Sequence, residues 1–124
     1  MRDIENRADL EVLLERFYKK LLVDPEIGYV FTEVAKIDLA THLVKIVDFW
    51  EQTLFSTGNY RNNVLKVHQD LNDLERLTPE LFNTWLLHFN STVDEMFLGA
   101  VSEKMKTRAL SIATVMQIKL STPE

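Results

Sequence analysis

The stretch "LEVLLERFYKKLLVDPEIG", residues 10–28, indicates the fold class of this chain. Its apolar residues recur at steps of three and four, which predicts an amphipathic helix with one apolar stripe. The stripe consists of Leu10, Leu13, Leu14, Phe17, Leu21 and Leu22. The helix should end near Asp24, because Pro25 disfavours helical backbone at the residue before it. Gly28 then permits a tight turn.

The same spacing continues along the chain and predicts three further long helices, at residues 38–55, 78–97 and 102–120. Thr78-Pro79-Glu80 is a strong helix start, with a capping hydroxyl, a proline at the first helical position and an acid in the first turn. A short helix is predicted over "VLKVHQDL", residues 64–71. No strand pattern is present. We therefore expect one all-α domain spanning residues 1–124.

Composition excludes several classes of function. The 124-residue chain is 46% apolar and carries a net charge of −5, which argues against nucleic acid as a partner and weakly against an anionic membrane surface. It has no cysteine, so disulfides and thiolate chemistry are excluded. The N-terminus lacks the apolar region of a signal peptide, and no apolar run approaches the length of a membrane span. A cytoplasmic location is the expectation.

Two histidines and two large aromatic residues are the candidates for a site. His68 lies on the short predicted helix, and a lone histidine there is more often structural than a ligand. His42 borders the apolar stripe of the second long helix, so the two imidazoles could flank one space. Tyr18 and Trp85 face inward and would usually be core residues. If buried, each has a donor that needs a partner, and donors that converge near a histidine suit a small, partly negative ligand.

The chemistry of the cofactor follows from what the chain offers. A zinc site is not expected, because three histidines and no cysteine provide no dense cluster of ligands. Haem, by contrast, needs one imidazole and a large apolar slot. Lys45 and Lys66 could pair with haem propionates, or each could equally be an ordinary solvated lysine on the surface. The candidate lining of the slot is Phe31, Ile46, Phe49, Trp50, Leu54, Leu65 and Val67.

Four segments, taken in order and spacing, resemble the truncated globins, specifically their third group. They are "FYKKLLVDPEIGYVF" (17–31), "HLVKIVDFW" (42–50), "Y…LKVH" (60–68) and "FNTWLLHF" (82–89). The resemblance covers roughly residues 8–120. It implies a shortened globin fold, a helical sandwich of four main helices with a short proximal helix, around haem b. The chain departs from the family at Asn62 and Val64, where a glycine and a proline are frequent, and at Tyr29, where a proline is frequent.

The resemblance also implies a role for each matched residue. His68 corresponds to the proximal histidine that ligates the iron, and Tyr60 keeps the family's spacing to it. Tyr18, His42 and Trp85 correspond to residues of the distal side, and Phe31 packs against the haem edge. His42 either gates the pocket or ligates the iron itself.

The implied function is binding of dioxygen, carbon monoxide and nitric oxide at a five-coordinate iron, with Tyr18 and Trp85 hydrogen-bonding the bound ligand. Oxygen handling, nitric oxide dioxygenation and peroxide chemistry all remain open, as does an electron-donating reductase. A monomer or weak dimer is expected. The alternative from a different class is a cofactor-free helical protein-interaction module, which would be colourless.

Overall fold

A computed structural model describes residues 1–34, 36–55 and 78–121, and every regular element in these ranges is helical. Within these ranges, four α-helices and one short π-helical segment follow one another. This confirms the predicted all-α class. The elements are α1 (Arg7–Val23), the π-helical segment (Val30–Val34), α2 (Leu39–Phe55), α3 (Pro79–Met96) and α4 (Ala100–Ser121).

Side-chain caps determine where α1 and α3 begin. Asn6 Oδ1 accepts a hydrogen bond from the Asp9 N–H at the start of α1. Thr78 Oγ1 accepts from the Leu81 N–H, and Pro79 occupies the first helical position of α3. These bonds satisfy N–H groups that have no partner inside the helix, so the predicted cap at Thr78 is confirmed.

Two features differ from the sequence prediction. The π-helical segment was not predicted, because its five residues carry too little periodicity to register. α4 begins at Ala100, two residues before the predicted start at Ser102. Asp3 causes the difference: its carboxylate accepts from the Val101 and Ser102 N–H groups across 98 and 99 residues of sequence. A cap so distant in sequence leaves no local signal.

The core lies around α1, which packs against both α2 and α3, while α3 packs against α4. The α1 stripe supplies most of the fully buried apolar side chains, and Leu22 alone of its predicted members is only partly buried. Arg7 joins α1 to α2 through ion pairs with Asp48 at 2.7 Å and Glu51 at 2.9 Å. α1 therefore has its inner face fixed between two helices, and Tyr18 lies on that face. The main buried residues are Leu10, Leu13, Leu14, Phe17, Tyr18, Leu21, Val47, Trp50, Leu54, Phe89, Val93, Met105 and Ala109.

None of the helices in the described ranges combines the length and the apolar character needed to cross a membrane.

Candidate functional site

The packing of α1 on α2 brings Tyr18 and His42 together. Tyr18 is 5% exposed, and its Oη lies 3.1 Å from His42 Nε2. The two rings meet edge to face, with centroids 4.9 Å apart. His42 lies in the first turn of α2, where its N–H donates to the Asp38 carbonyl. Two of the three predicted distal residues are thus in direct contact, although 24 residues separate them.

The Tyr18–His42 hydrogen bond has two possible directions. Burial raises the pKa of Tyr18 well above its ordinary value, so the phenol stays neutral and keeps its single proton. Either Tyr18 donates that proton to Nε2, or a protonated Nε2 donates to Oη. Only the second arrangement leaves the phenol proton available to a third group.

Apolar side chains border this pair. Phe31, from the π-helical segment, packs edge to face on Tyr18 with a centroid separation of 5.7 Å. Ile46 and Phe49 follow His42 at the spacing of one α2 face, and both are only partly buried against the core. The pair of polar groups therefore lies beside an apolar surface that the described residues leave incompletely covered.

Trp85 is near this pair but is not hydrogen-bonded to it. Its indole stacks on Phe89, with centroids 5.2 Å apart and planes 18° apart, and meets Phe17 edge to face at 5.5 Å. Within the described ranges it makes ring contacts and no hydrogen bond. Phe17 in turn meets the Tyr18 ring edge to face at 5.2 Å, so Trp85 of α3 is linked to the Tyr18–His42 pair through Phe17.

The other predicted lining residues of α2 differ in their surroundings. Trp50 and Leu54 are buried in the core, at 3% and 7% exposure, and Trp50 packs on Phe89 at 5.4 Å. Lys45 is exposed. The haem-related roles of all the predicted site residues stay predictions. Five of these residues lie outside the described residues: Tyr60, Leu65, Lys66, Val67 and His68. In the part of the chain that is described, no group of three or more acidic, histidine or cysteine side chains could hold a metal ion.

One polar contact near the site was missed by sequence reasoning. His88 Nε2 lies 2.7 Å from Asp24 Oδ2, which joins α3 to the end of α1. The sequence shows only that His88 lies one turn after Trp85. A contact over 64 residues of sequence has no local pattern from which it could have been predicted.

Comparisons with known proteins agree with this architecture. No family model matches the chain. A group 3 truncated hemoglobin of Campylobacter jejuni is 28% identical over 115 residues, which is 90% of this chain and 88% of that protein. The crystal structure of a group III truncated hemoglobin from Campylobacter jejuni superposes with a TM-score of 0.86 at 28% identity, covering 98% of this chain and 97% of that one. In sequence and in fold, the chain is therefore similar to the group 3 truncated hemoglobins.

Proposed function

We propose that this protein is a single haem-binding domain that holds haem b and binds dioxygen and other diatomic gases. The observation that carries the proposal is the hydrogen bond between buried Tyr18 and half-buried His42 beside a partly open apolar surface, in a chain with the truncated-globin fold. A hydroxyl and an imidazole in contact are suited to a small polar ligand. A haem-binding site needs a large apolar slot and only a few hydrogen-bond donors.

The described residues fit the group. Phe31, Ile46 and Phe49 would offer apolar surface to a flat macrocycle, and Tyr18 would supply a neutral hydrogen-bond donor beside it. Haem, when bound, would supply an iron atom for gas binding, and His68 would hold that iron. The exposed Lys45 is a candidate partner for one propionate, and Lys66 for the other.

Tyr18 would act as the principal donor to the ligand. The neutral phenol of Tyr18 would donate a hydrogen bond to a partly negative gas ligand and so stabilise it. Burial of Tyr18 excludes water that would compete for this bond. His42 would hold the phenol from behind by donating Nε2–H to Oη. Trp85 would add a second donor, because its Nε1–H is not hydrogen-bonded within the described ranges.

Chemistry on the ligand is the second candidate, either dioxygenation of nitric oxide or cleavage of peroxide. The specific observation in its favour is the same Tyr18–His42 pair, since preorganised donors that hold a ligand also polarise its O–O bond. Either reaction would draw electrons from a reductase.

The test is an absorption spectrum of the purified protein supplied with haemin, taken before and after dithionite and carbon monoxide. We expect an intense Soret band that shifts with carbon monoxide. His68→Ala should lose the five-coordinate ferrous spectrum, and added imidazole should restore it, which serves as the matched control. Absence of a specific haem band in both proteins would refute the proposal and leave the cofactor-free interaction module.

A further inference from the structure

Two polar contacts link α3 to the segment that follows α1. We call residues 24–28 the corner. His88 Nε2–H donates to Asp24 Oδ2 at 2.7 Å, and Thr84 Oγ1 lies 3.1 Å from Glu26 Oε2. Thr84 and His88 are one helical turn apart, and Trp85 lies between them in sequence. His88 therefore fastens the corner to α3, whereas the Thr84 hydroxyl shares its single proton between Glu26 and the Glu80 carbonyl.

The Asp24 carboxylate has two separate tasks at this junction. Its Oδ1 accepts from the Glu26 N–H at 2.7 Å and the Ile27 N–H at 3.2 Å, which closes the turn of the corner. Its Oδ2 accepts from His88. The hydrogen bond from His88 is the largest cause of a lowered Asp24 pKa, so the carboxylate is ionised and His88 is the donor. Asp24 and His88 are 16% and 23% exposed, which limits competition from water.

The corner has little freedom to move independently of the site. The Gly28 N–H donates to the Asp24 carbonyl at 2.9 Å. A Cβ added at Gly28 would lie only 2.7 Å from the Leu22 carbonyl oxygen, so the corner is pressed against the last turn of α1. Phe31 follows three residues later and packs on Tyr18. A displacement of Asp24 would therefore be passed on to the Phe31 ring.

We propose that His88 is a positioning residue for the distal site. By fastening the corner to α3, it sets the position of Phe31 on Tyr18 relative to that of Trp85 on Phe17. The inference rests on the proposed function as far as ligand kinetics are concerned. The positions of the rings themselves can be tested whether or not haem is bound.

The test compares three variants of the full chain. His88→Leu removes the donor, and His88→Gln replaces it, since the glutamine amide can donate from nearly the same place. Lys20→Gln is the matched control, because Lys20 also joins α1 to α3, through Glu95 at 2.7 Å, without touching the corner. Two measurements are made on each: the NMR resonances of the Trp85 indole and the Tyr18 ring, and the oxygen dissociation rate of the haem-loaded protein.

We expect His88→Leu to shift both sets of resonances and to change the dissociation rate about three- to tenfold, less than removal of a donor would. His88→Gln should restore wild-type behaviour, and Lys20→Gln should match wild type. Should His88→Leu fail to fold, Asp24→Ser takes its place, because serine keeps a turn-closing oxygen and lacks Oδ2.

Two outcomes would overturn the proposal. One is a His88→Leu protein whose resonances are those of the Lys20→Gln control. The other is a His88→Gln protein as perturbed as His88→Leu, which would assign the effect to packing of the imidazole ring. A protein that binds no haem but shows the expected resonance shifts would refute the proposed function alone.

Discussion

Tyr18→Phe removes the single buried hydroxyl of the Tyr18–His42 pair. The ring contacts with Phe17, Phe31 and His42 should survive, because each involves the ring rather than Oη. The matched control is Tyr29→Phe, which removes a hydroxyl from a side chain that is 37% exposed. Any difference between the two variants then reports on the environment of the Tyr18 hydroxyl.

The magnitude follows from the two bonds in which Tyr18 can take part. A hydrogen bond between neutral groups is worth about 0.5–1.5 kcal/mol, and one to a charged group about 1.5–3 kcal/mol. A hydrogen bond to a partly negative ligand should be worth about 1.5–2 kcal/mol, near the boundary between these two ranges. Since 1.4 kcal/mol is about tenfold, Tyr18→Phe should speed oxygen dissociation about ten- to thirtyfold. Carbon monoxide, which gains less charge, should be affected less.

The assay is stopped-flow measurement of oxygen and carbon monoxide dissociation from the haem-loaded variants. His42→Leu supplies the direction of the Tyr18–His42 bond. If Nε2–H donates to Oη, this variant loses the group that orients the phenol, and oxygen dissociation should be about two- to fivefold faster. If the phenol instead donates to His42, the variant leaves the Tyr18 hydroxyl proton available to the bound oxygen, and oxygen dissociation should become slower.

A Tyr18→Phe rate equal to that of Tyr29→Phe would refute the reasoning, since the buried hydroxyl would then have no part in holding the ligand. If oxygen dissociation from His42→Leu were also slower than from wild type, Tyr18 would be shown to donate its hydroxyl proton to His42 rather than to the gas ligand.

Three further predictions concern Gly99, the Asp9 carboxylate and the burial of Tyr18. Gly99→Ala should lower the free energy of unfolding by about 1–3 kcal/mol in urea denaturation. Gly99 has a φ of 153°, and an added Cβ would collide with the Asp3 side chain that caps α4. An unchanged urea midpoint would contradict this prediction. The Arg2 guanidinium lowers the pKa of Asp9 from 3.8 to about 2, so the ionised carboxylate stabilises the fold above about pH 4 and this contribution is lost as the pH falls from about 4 to 2. Asp9→Asn should therefore show a weaker loss of unfolding free energy over that window, and an equal loss in both proteins would refute the assignment. Because burial raises the pKa of Tyr18, the oxygen dissociation rate should show no tyrosinate step up to pH 10, the ordinary tyrosine value; a step below that pH would contradict the burial argument.

The sequence by itself determined the class of fold and most of the helix limits. Apolar spacing of three and four is a local property, so it predicted α1, α2, α3 and α4 without knowledge of their neighbours. The caps at Thr78 and the stop near Asp24 are equally local, and the structure confirms them. The family resemblance rests on short segments that follow one another in a fixed order along the sequence. It agrees with the fold and with the Campylobacter jejuni relative.

Only the tertiary structure decided which side chains meet. The contact between Tyr18 and His42 depends on the packing of α1 against α2, and the bond between His88 and Asp24 on that of α3 against the corner. The start of α4 depends on Asp3 at the other end of the chain. Hydrogen bonds between residues far apart in sequence leave no periodic trace, because each partner is selected by position in space. A pattern of spacing therefore predicts elements and faces, whereas the geometry of the donors comes from how those faces pack.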